Sequence, residues 1–111
     1  MRYIDLTDKT ENQITVDRED GIYLGHPTTV LLDDGRTIYT VYPKGHGVGQ
    51  LVMKRSDDAG LTWSERLPVP DSFSTSLECP TIYKLTDRDG VERLFIFAGR
   101  YPFRSSVSTD N

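Results

Sequence analysis

At 111 residues the chain is one domain at most, long enough to bury a core of ordinary size. Hydrophobic content of 36% with six Tyr, four Phe and one Trp describes a folded, strand-rich protein, and a net charge of −4 excludes nucleic acid or an anionic membrane as a partner held by bulk charge. The single cysteine, Cys79, excludes an internal disulfide framework and a multi-cysteine metal site, and no Asp/Glu/His cluster stands at ligand spacing, so no metal or cofactor is expected, although a carbonyl-lined Ca²⁺ site would leave no such signature.

In chain order, the opening Met1-Arg2-Tyr3-Ile4-Asp5 has no apolar run, so neither a signal peptide nor a membrane span is expected on this chain. Residues 1–11 are polar and weakly patterned, a leader strand or coil. Asn12 to Asp17, where Ile14 and Val16 alternate with polar neighbours, predicts a half-buried strand, so that 12–18 reads as a leader or closing strand. A charged link follows over Asp17 to Asp20. Pro27 to Leu32 and Arg36 to Tyr42 are β-rich runs joined at Asp33-Asp34-Gly35, a strong hairpin signal. Pro43 to Gly49 is a glycine-rich loop, Gln50 to Arg55 a third strand, Trp63 to Leu67 a short fourth one, and Pro68 to Leu77 a long connection.

The pattern then starts again. Pro80 to Leu85 predicts a strand, Asp87-Arg88-Asp89-Gly90 a turn, Val91 to Ala98 a continuous apolar strand, Gly99 to Phe103 a loop, and Arg104 to Ser108 a third strand. Pro27-Thr28-Thr29 aligns with Pro80-Thr81-Ile82, and Asp34-Gly35 with Asp89-Gly90. No helical periodicity of useful length occurs. The expected fold class is all-β, in antiparallel four-stranded meander units.

Between the third and fourth predicted strands lies Ser56-Asp57-Asp58-Ala59-Gly60-Leu61-Thr62-Trp63. Asp58 can accept hydrogen bonds from backbone N–H groups of its own turn, Gly60 can take a positive φ, Ser56 and Thr62 add hydroxyls, and Trp63 adds a large ring to bury. This stretch resembles the Asp-box, or BNR repeat, Ser/Thr-x-Asp-x-Gly-x-Thr/Ser-Trp, at every defining position. Ser108-Thr109-Asp110-Asn111 resembles the opening of a second box, 52 positions after Ser56, a period suited to one propeller blade plus loops. The resemblance is to the sialidase-like β-propellers and implies a six-bladed ring, with 26–67 as one blade (Asp-box at 56–63) and 78–111 as part of a second. Six blades need at least about 300 residues at this period. The chain is therefore expected to be a piece of a longer polypeptide, or to assemble as a homotrimer that completes the ring.

In such a blade the first strand is innermost and directions alternate. The start of strand one and the loop between strands two and three then share one end, and the Asp-box lies at the other, so Ser56, Asp58, Gly60, Thr62 and Trp63 are structural. The working end would gather His26, Lys44, His46, Glu78, Cys79, Arg100, Tyr101 and Arg104. His46, between Gly45 and Gly47, can approach a ligand closely. Glu78 and His46 suit acid/base work, Arg100 and Arg104 with Lys44 and His26 suit binding an acidic sugar, and Tyr101 stands as a nucleophile by analogy with the Tyr of sialidases. Each residue also has a plainer reading: His26 bonding a loop, Lys44 a solvated charge, Arg100 and Tyr101 a stacked loop cap, Cys79 a small buried hydrophobe.

The sequence departs from the sialidase pattern in two places. Leu24-Gly25-His26-Pro27 stands where those enzymes have Tyr-Arg-Ile-Pro, so the arginine position falls on Gly25. The loop 43–49 has no acid where theirs carries the acid/base Asp. Two functions follow as expectations: a sialidase-like glycoside hydrolase acting on a terminal acidic sugar of a glycan, or a non-catalytic glycan-binding or scaffold propeller.

Overall fold

The computed structural model describes residues 3–100 and 103–108. They form two antiparallel three-stranded sheets, and the fold is all-β. The first sheet contains β1 (Thr28–Leu31), β2 (Ile38–Pro43) and β3 (Leu51–Ser56), the second β4 (Thr81–Thr86), β5 (Glu92–Ala98) and β6 (Arg104–Val107), each in sequential order. Every one of these strands falls on a predicted run, within two residues at either end.

The register turns the alternation of each strand into two distinct faces. Pairing of Thr28 with Val41 and of Val41 with Met53 puts Val30, Val41, Leu51 and Met53 on one side of the first sheet. Pairing of Ile82 with Ile96 puts Ile82, Leu94, Ile96 and Ala98 on one side of the second. These two faces meet. Val41, Leu51, Ile82, Ile96 and Ala98 form the core, flanked by Val30, Tyr39, Met53 and Val69. Strands β1 and β4 adjoin, and Thr28 stitches them: its hydroxyl accepts from the Ile82 N–H at 3.2 Å and donates to the Pro80 carbonyl at 3.3 Å. At the rim Lys84 bridges Asp33 of the first sheet and Glu92 of the second.

Three expectations need correction. No strand forms over Asn12–Asp17. Thr10–Asn12 is a 3-10 turn, and the chain beyond it crosses the far face of the first sheet without a ladder. Side chains hold it there: Lys54 Nζ donates to the Val16 carbonyl at 2.8 Å, and the Tyr42 hydroxyl to Asp17 at 2.6 Å. Nor does Trp63–Leu67 become a fourth strand. The Ser64 N–H reaches the Arg55 carbonyl and the Leu67 N–H that of Met53, so three steps on one segment oppose two on β3. Ser64 Oγ also takes the Arg55 N–H that a neighbouring carbonyl would have accepted. Four-stranded sheets are accordingly replaced by three-stranded ones among the described residues. Finally, the connection 68–77 contains a 3-10 turn, Asp71–Ser74, whose Phe73 is buried in the core. The beginning of the second box, from residue 109 onward, lies outside the described residues.

The Asp-box is fully hydrogen-bonded. Asp58 accepts from the Thr62 N–H (2.8 Å), the Thr62 hydroxyl (2.6 Å) and the Ser56 hydroxyl (2.8 Å), while Ser56 Oγ accepts from the Gly60 N–H (2.8 Å). Trp63 Nε1 donates to the Gly60 carbonyl at 3.1 Å. Ala59 (φ 61) and Gly60 (φ 91) both take positive φ, which the tight turn requires. The Ala59 N–H bonds the Arg36 carbonyl, tying the box to the β1–β2 turn. In that turn Asp34 accepts from Thr37 Oγ1 (2.5 Å) and from the N–H groups of Thr37 and Arg36 (2.8 Å each).

These bonds hold both carboxyls at about pKa 2: Asp58 chiefly through the Thr62 hydroxyl, Asp34 chiefly through the Thr37 hydroxyl. An unfolded Asp titrates near about 3.9. A carboxyl depressed on folding contributes stability that is complete above the unfolded value and is lost as pH falls through the folded one. Thermal melts are therefore expected to show Tm insensitive to these two groups above about pH 5 and falling between about pH 4 and pH 2. Asp58→Asn should flatten that acid limb; limbs of equal slope in the native chain and the variant would remove Asp58 from the account.

Candidate functional site at the loop end

The end opposite the Asp-box is assembled from the stretch before β1 and the β2–β3 loop. An isolated bridge between Leu24 and Lys44 clamps the two together. His26 has φ 54, a left-handed conformation that few residues other than glycine adopt, and it does so directly before Pro27. Such strain persists only where surrounding contacts over-determine it. Here the contacts are aromatic. The His26 and His46 rings meet edge-on with centroids 4.7 Å apart, and the Tyr23 ring lies 5.3 Å from His46 and 6.2 Å from His26. Gly25 makes this possible, since a Cβ there would stand 2.1 Å from Tyr23 Cε1. At Gly25 the tyrosine ring thus folds over backbone that carries no side chain.

The second unit closes on the same end. Gly49 and Ser76 exchange both backbone hydrogen bonds, at 2.9 and 2.8 Å, joining the β2–β3 loop to the segment that leads into β4. A Cβ on Gly47 would lie 3.5 Å from Cys79 Sγ and 3.9 Å from Glu78 Oε1, so the loop that presents His46 rests against this pair. Glu78 accepts from the Cys79 N–H at 2.9 Å and faces Arg100 at 3.8 Å. The bond from the Cys79 N–H, helped by the thiol, Arg100 and His26, holds the Glu78 carboxyl below its ordinary range. Glu78 is therefore an ionised carboxylate at neutral pH. Burial, together with the adjacent Glu78, pushes the Cys79 thiol up, which keeps it protonated and unsuited to nucleophilic attack. His26, His46, Glu78 and Arg100 lie at this one end; Tyr101 lies outside the described residues.

No family model, curated protein or solved structure matches this chain.

Two of the expected binding residues make bonds away from this group. Lys44 turns to Glu19 at 2.9 Å. Arg104 donates from Nη1 to the carbonyls of Ser72 (3.1 Å) and Thr75 (3.2 Å), pinning the inter-sheet connection. Lys44 belongs to a charged network that the sequence reading did not anticipate: Arg66 Nε meets Asp17 at 2.7 Å and Arg66 Nη1 meets Glu19 at 2.5 Å, while Asp17 also accepts from Tyr42. Burial raises the Asp17 pKa but is outweighed by the Arg66 and Tyr42 hydrogen bonds, so its net shift is downward. Burial and Asp17 together push the Tyr42 phenol upward. The network straps residues 16–19 across the first sheet. Its members are 25 to 49 positions apart, beyond the reach of any local pattern. Tyr23 was also missed as a site residue; Gly25 two positions later is the signal that marks it. Among the described residues no group of three or more His, Cys, Asp or Glu could hold a metal ion, and no helix is long and apolar enough to cross a membrane.

Proposed function

We propose that the chain provides two adjacent blades of a sialidase-like Asp-box β-propeller whose loop end takes a terminal acidic sugar of a glycan and hydrolyses its glycosidic bond. The observation that carries this reading is the convergence of the paired His26 and His46 rings and the Glu78–Arg100 pair at one end, with the Asp-box at the other. Two sheets whose first strands adjoin through Thr28 are consistent with blades arranged about an axis. The second sheet's outward face also supports it. Tyr83, Leu85, Phe95, Phe97 and Val107 occupy the face equivalent to the one that the first sheet buries, and Tyr83 (49%) and Phe97 (37%) are exposed. Such a face suits a further blade, from the same polypeptide or from a second copy in a homo-oligomer.

In this reading Arg100 attracts the sugar carboxylate, and Glu78, held ionised, serves as base or stabilises positive charge on the sugar ring. His46 carries the proton to the leaving oxygen. A second reading, binding without turnover, is favoured by Glu78 itself. The usual glycosidase acid is a carboxyl kept protonated, and Glu78 is held ionised, which leaves the leaving-group proton to a residue other than this carboxyl.

The test is turnover of aryl sialosides and aryl glucuronides by the purified chain, its mass recorded by light scattering. Hydrolysis that His46→Ala and Glu78→Gln each reduce by about 10²-fold or more would support the enzyme. Binding of the acidic sugars without release of aglycone would establish the second reading, and neither binding nor turnover would end both.

A further inference from the structure

Beside Arg100, and separate from the histidine pair, an open cleft of about 220 Å³ lies between the inter-sheet connection and the outer part of the second sheet. Phe73 and Ile96 line it as apolar floor, Ser72 and Thr75 belong to one wall, and Arg104 and Ser106 to the other. Arg100 also lines it. Among the described residues that line this space there are two guanidinium groups, one of which (Arg100) also faces Glu78, and no Asp or Glu, in a chain whose net charge is −4.

Arg104 is held in a particular way. Its Nη1 carries two hydrogens, and the Ser72 and Thr75 carbonyls accept both. The Nε–Nη2 edge has no hydrogen-bond partner among the described residues. That edge is one of the forks that match a carboxylate with two parallel charge-assisted bonds. A guanidinium anchored through Nη1 gives up little further freedom when it binds, so less of the gain is lost in ordering it. The hydroxyls of Ser72, Thr75 and Ser106, which make no hydrogen bond among the described residues, supply the donors and acceptors that a polyol needs.

We infer that this cleft is a carboxylate subsite, in which the Nε–Nη2 edge of Arg104 receives the carboxylate of a small acidic sugar of the uronate class. Arg100 supplies a second positive charge at its mouth, and the neighbouring hydroxyls bond the sugar's hydroxyls. This rests on the acidic-sugar reading above and adds where the carboxylate goes: to the cleft rather than to the histidine pair.

The experiment is titration of the isotopically labelled chain with glucuronate and, in parallel, with glucose, followed by amide chemical shifts. A monosaccharide in an open cleft is held at about 1 mM. The expected result is glucuronate shifts centred on residues 72–76 and 104–106, with glucose weaker by about tenfold or more. Arg104→Lys, which keeps the charge but loses the fork, should weaken glucuronate about tenfold. Ser106→Leu, which fills the cleft and leaves the Arg104 clamp intact, should abolish the shifts. Shifts centred on residues 26, 46 and 78 and indifferent to Arg104→Lys would overturn the subsite while leaving the acidic-sugar reading standing. Equal binding of glucose and glucuronate would also overturn it, and absence of binding by either sugar would remove both proposals.

Discussion

Gly49→Ala is expected to destabilise the chain by about 3 kcal/mol and to dismantle the loop end in the same step. Gly49 has φ +116, and a Cβ there would stand 2.5 Å from the Lys44 carbonyl oxygen. The obstacle is backbone of the same loop, so no side chain can swing aside to make room. Backbone strain in this region costs about 1–3 kcal/mol, and overpacking adds about 1–3 more. The position matters beyond its strain, because Gly49 exchanges two hydrogen bonds with Ser76 and so links the loop of His46 to the segment of Glu78. Urea melts should show the midpoint falling with little change in slope, and histidine ring resonances in the folded fraction should show His26 and His46 no longer in contact. Gly35→Ala is the control. Gly35 also has positive φ (+66), but a Cβ there meets nothing within 4 Å, so only the conformational strain, about 1 kcal/mol, should appear. Equal effects at the two positions would mean that the close approach to Lys44 has no role.

The strands were legible because each announces itself locally. Thr28–Leu31 and Ile38–Pro43 flank an Asp-Gly turn, Thr81–Thr86 and Glu92–Ala98 flank another, and the Asp-box specifies its own hydrogen bonds through residues four apart. The grouping of His26, His46, Glu78 and Arg100 was legible for the same reason: once the strands alternate, the ends of their loops are determined. What was not legible depends on partners distant in sequence. Asn12–Asp17 has the alternation of a strand, but Ile14 stays exposed, and the segment is fastened by the side chains of Tyr42, Lys54 and Arg66 rather than by a ladder. Lys44 turns to Glu19, and Nη1 of Arg104 to the Ser72 and Thr75 carbonyls, and no pattern near either one reveals these partners. Phe73 sits in a connection rich in Ser and Pro and carries no periodic signal at all.

Phe73 nevertheless provides the largest side-chain effect to be expected. It is 5% exposed and packs with Val41, Leu51, Ile82, Ile96 and Ala98, plugging the gap between two sheets that otherwise meet along β1 and β4. Truncation of a buried Phe removes its transfer free energy and leaves a cavity, so Phe73→Ala should cost about 3–5 kcal/mol. Against a total stability of about 5–15 kcal/mol this is enough to leave a sizeable unfolded fraction at 37 °C in a domain at the lower end. Phe97→Ala gives the informative contrast. Its ring lies on the opposite side of the second sheet, stacked at 6.2 Å on Phe95 and 6.3 Å from Tyr83, and is 37% exposed. In the chain by itself its removal should cost only about 1 kcal/mol, the value of its aromatic pairing. If another sheet covers that face in solution, Phe97 becomes a core residue and its truncation should approach the Phe73 value and depend on protein concentration. Urea denaturation of both variants at two concentrations therefore measures whether the second sheet ends at solvent. A small, concentration-independent loss for Phe97→Ala means that it does; a loss comparable to that of Phe73→Ala means that a further sheet packs there, the arrangement a propeller ring requires.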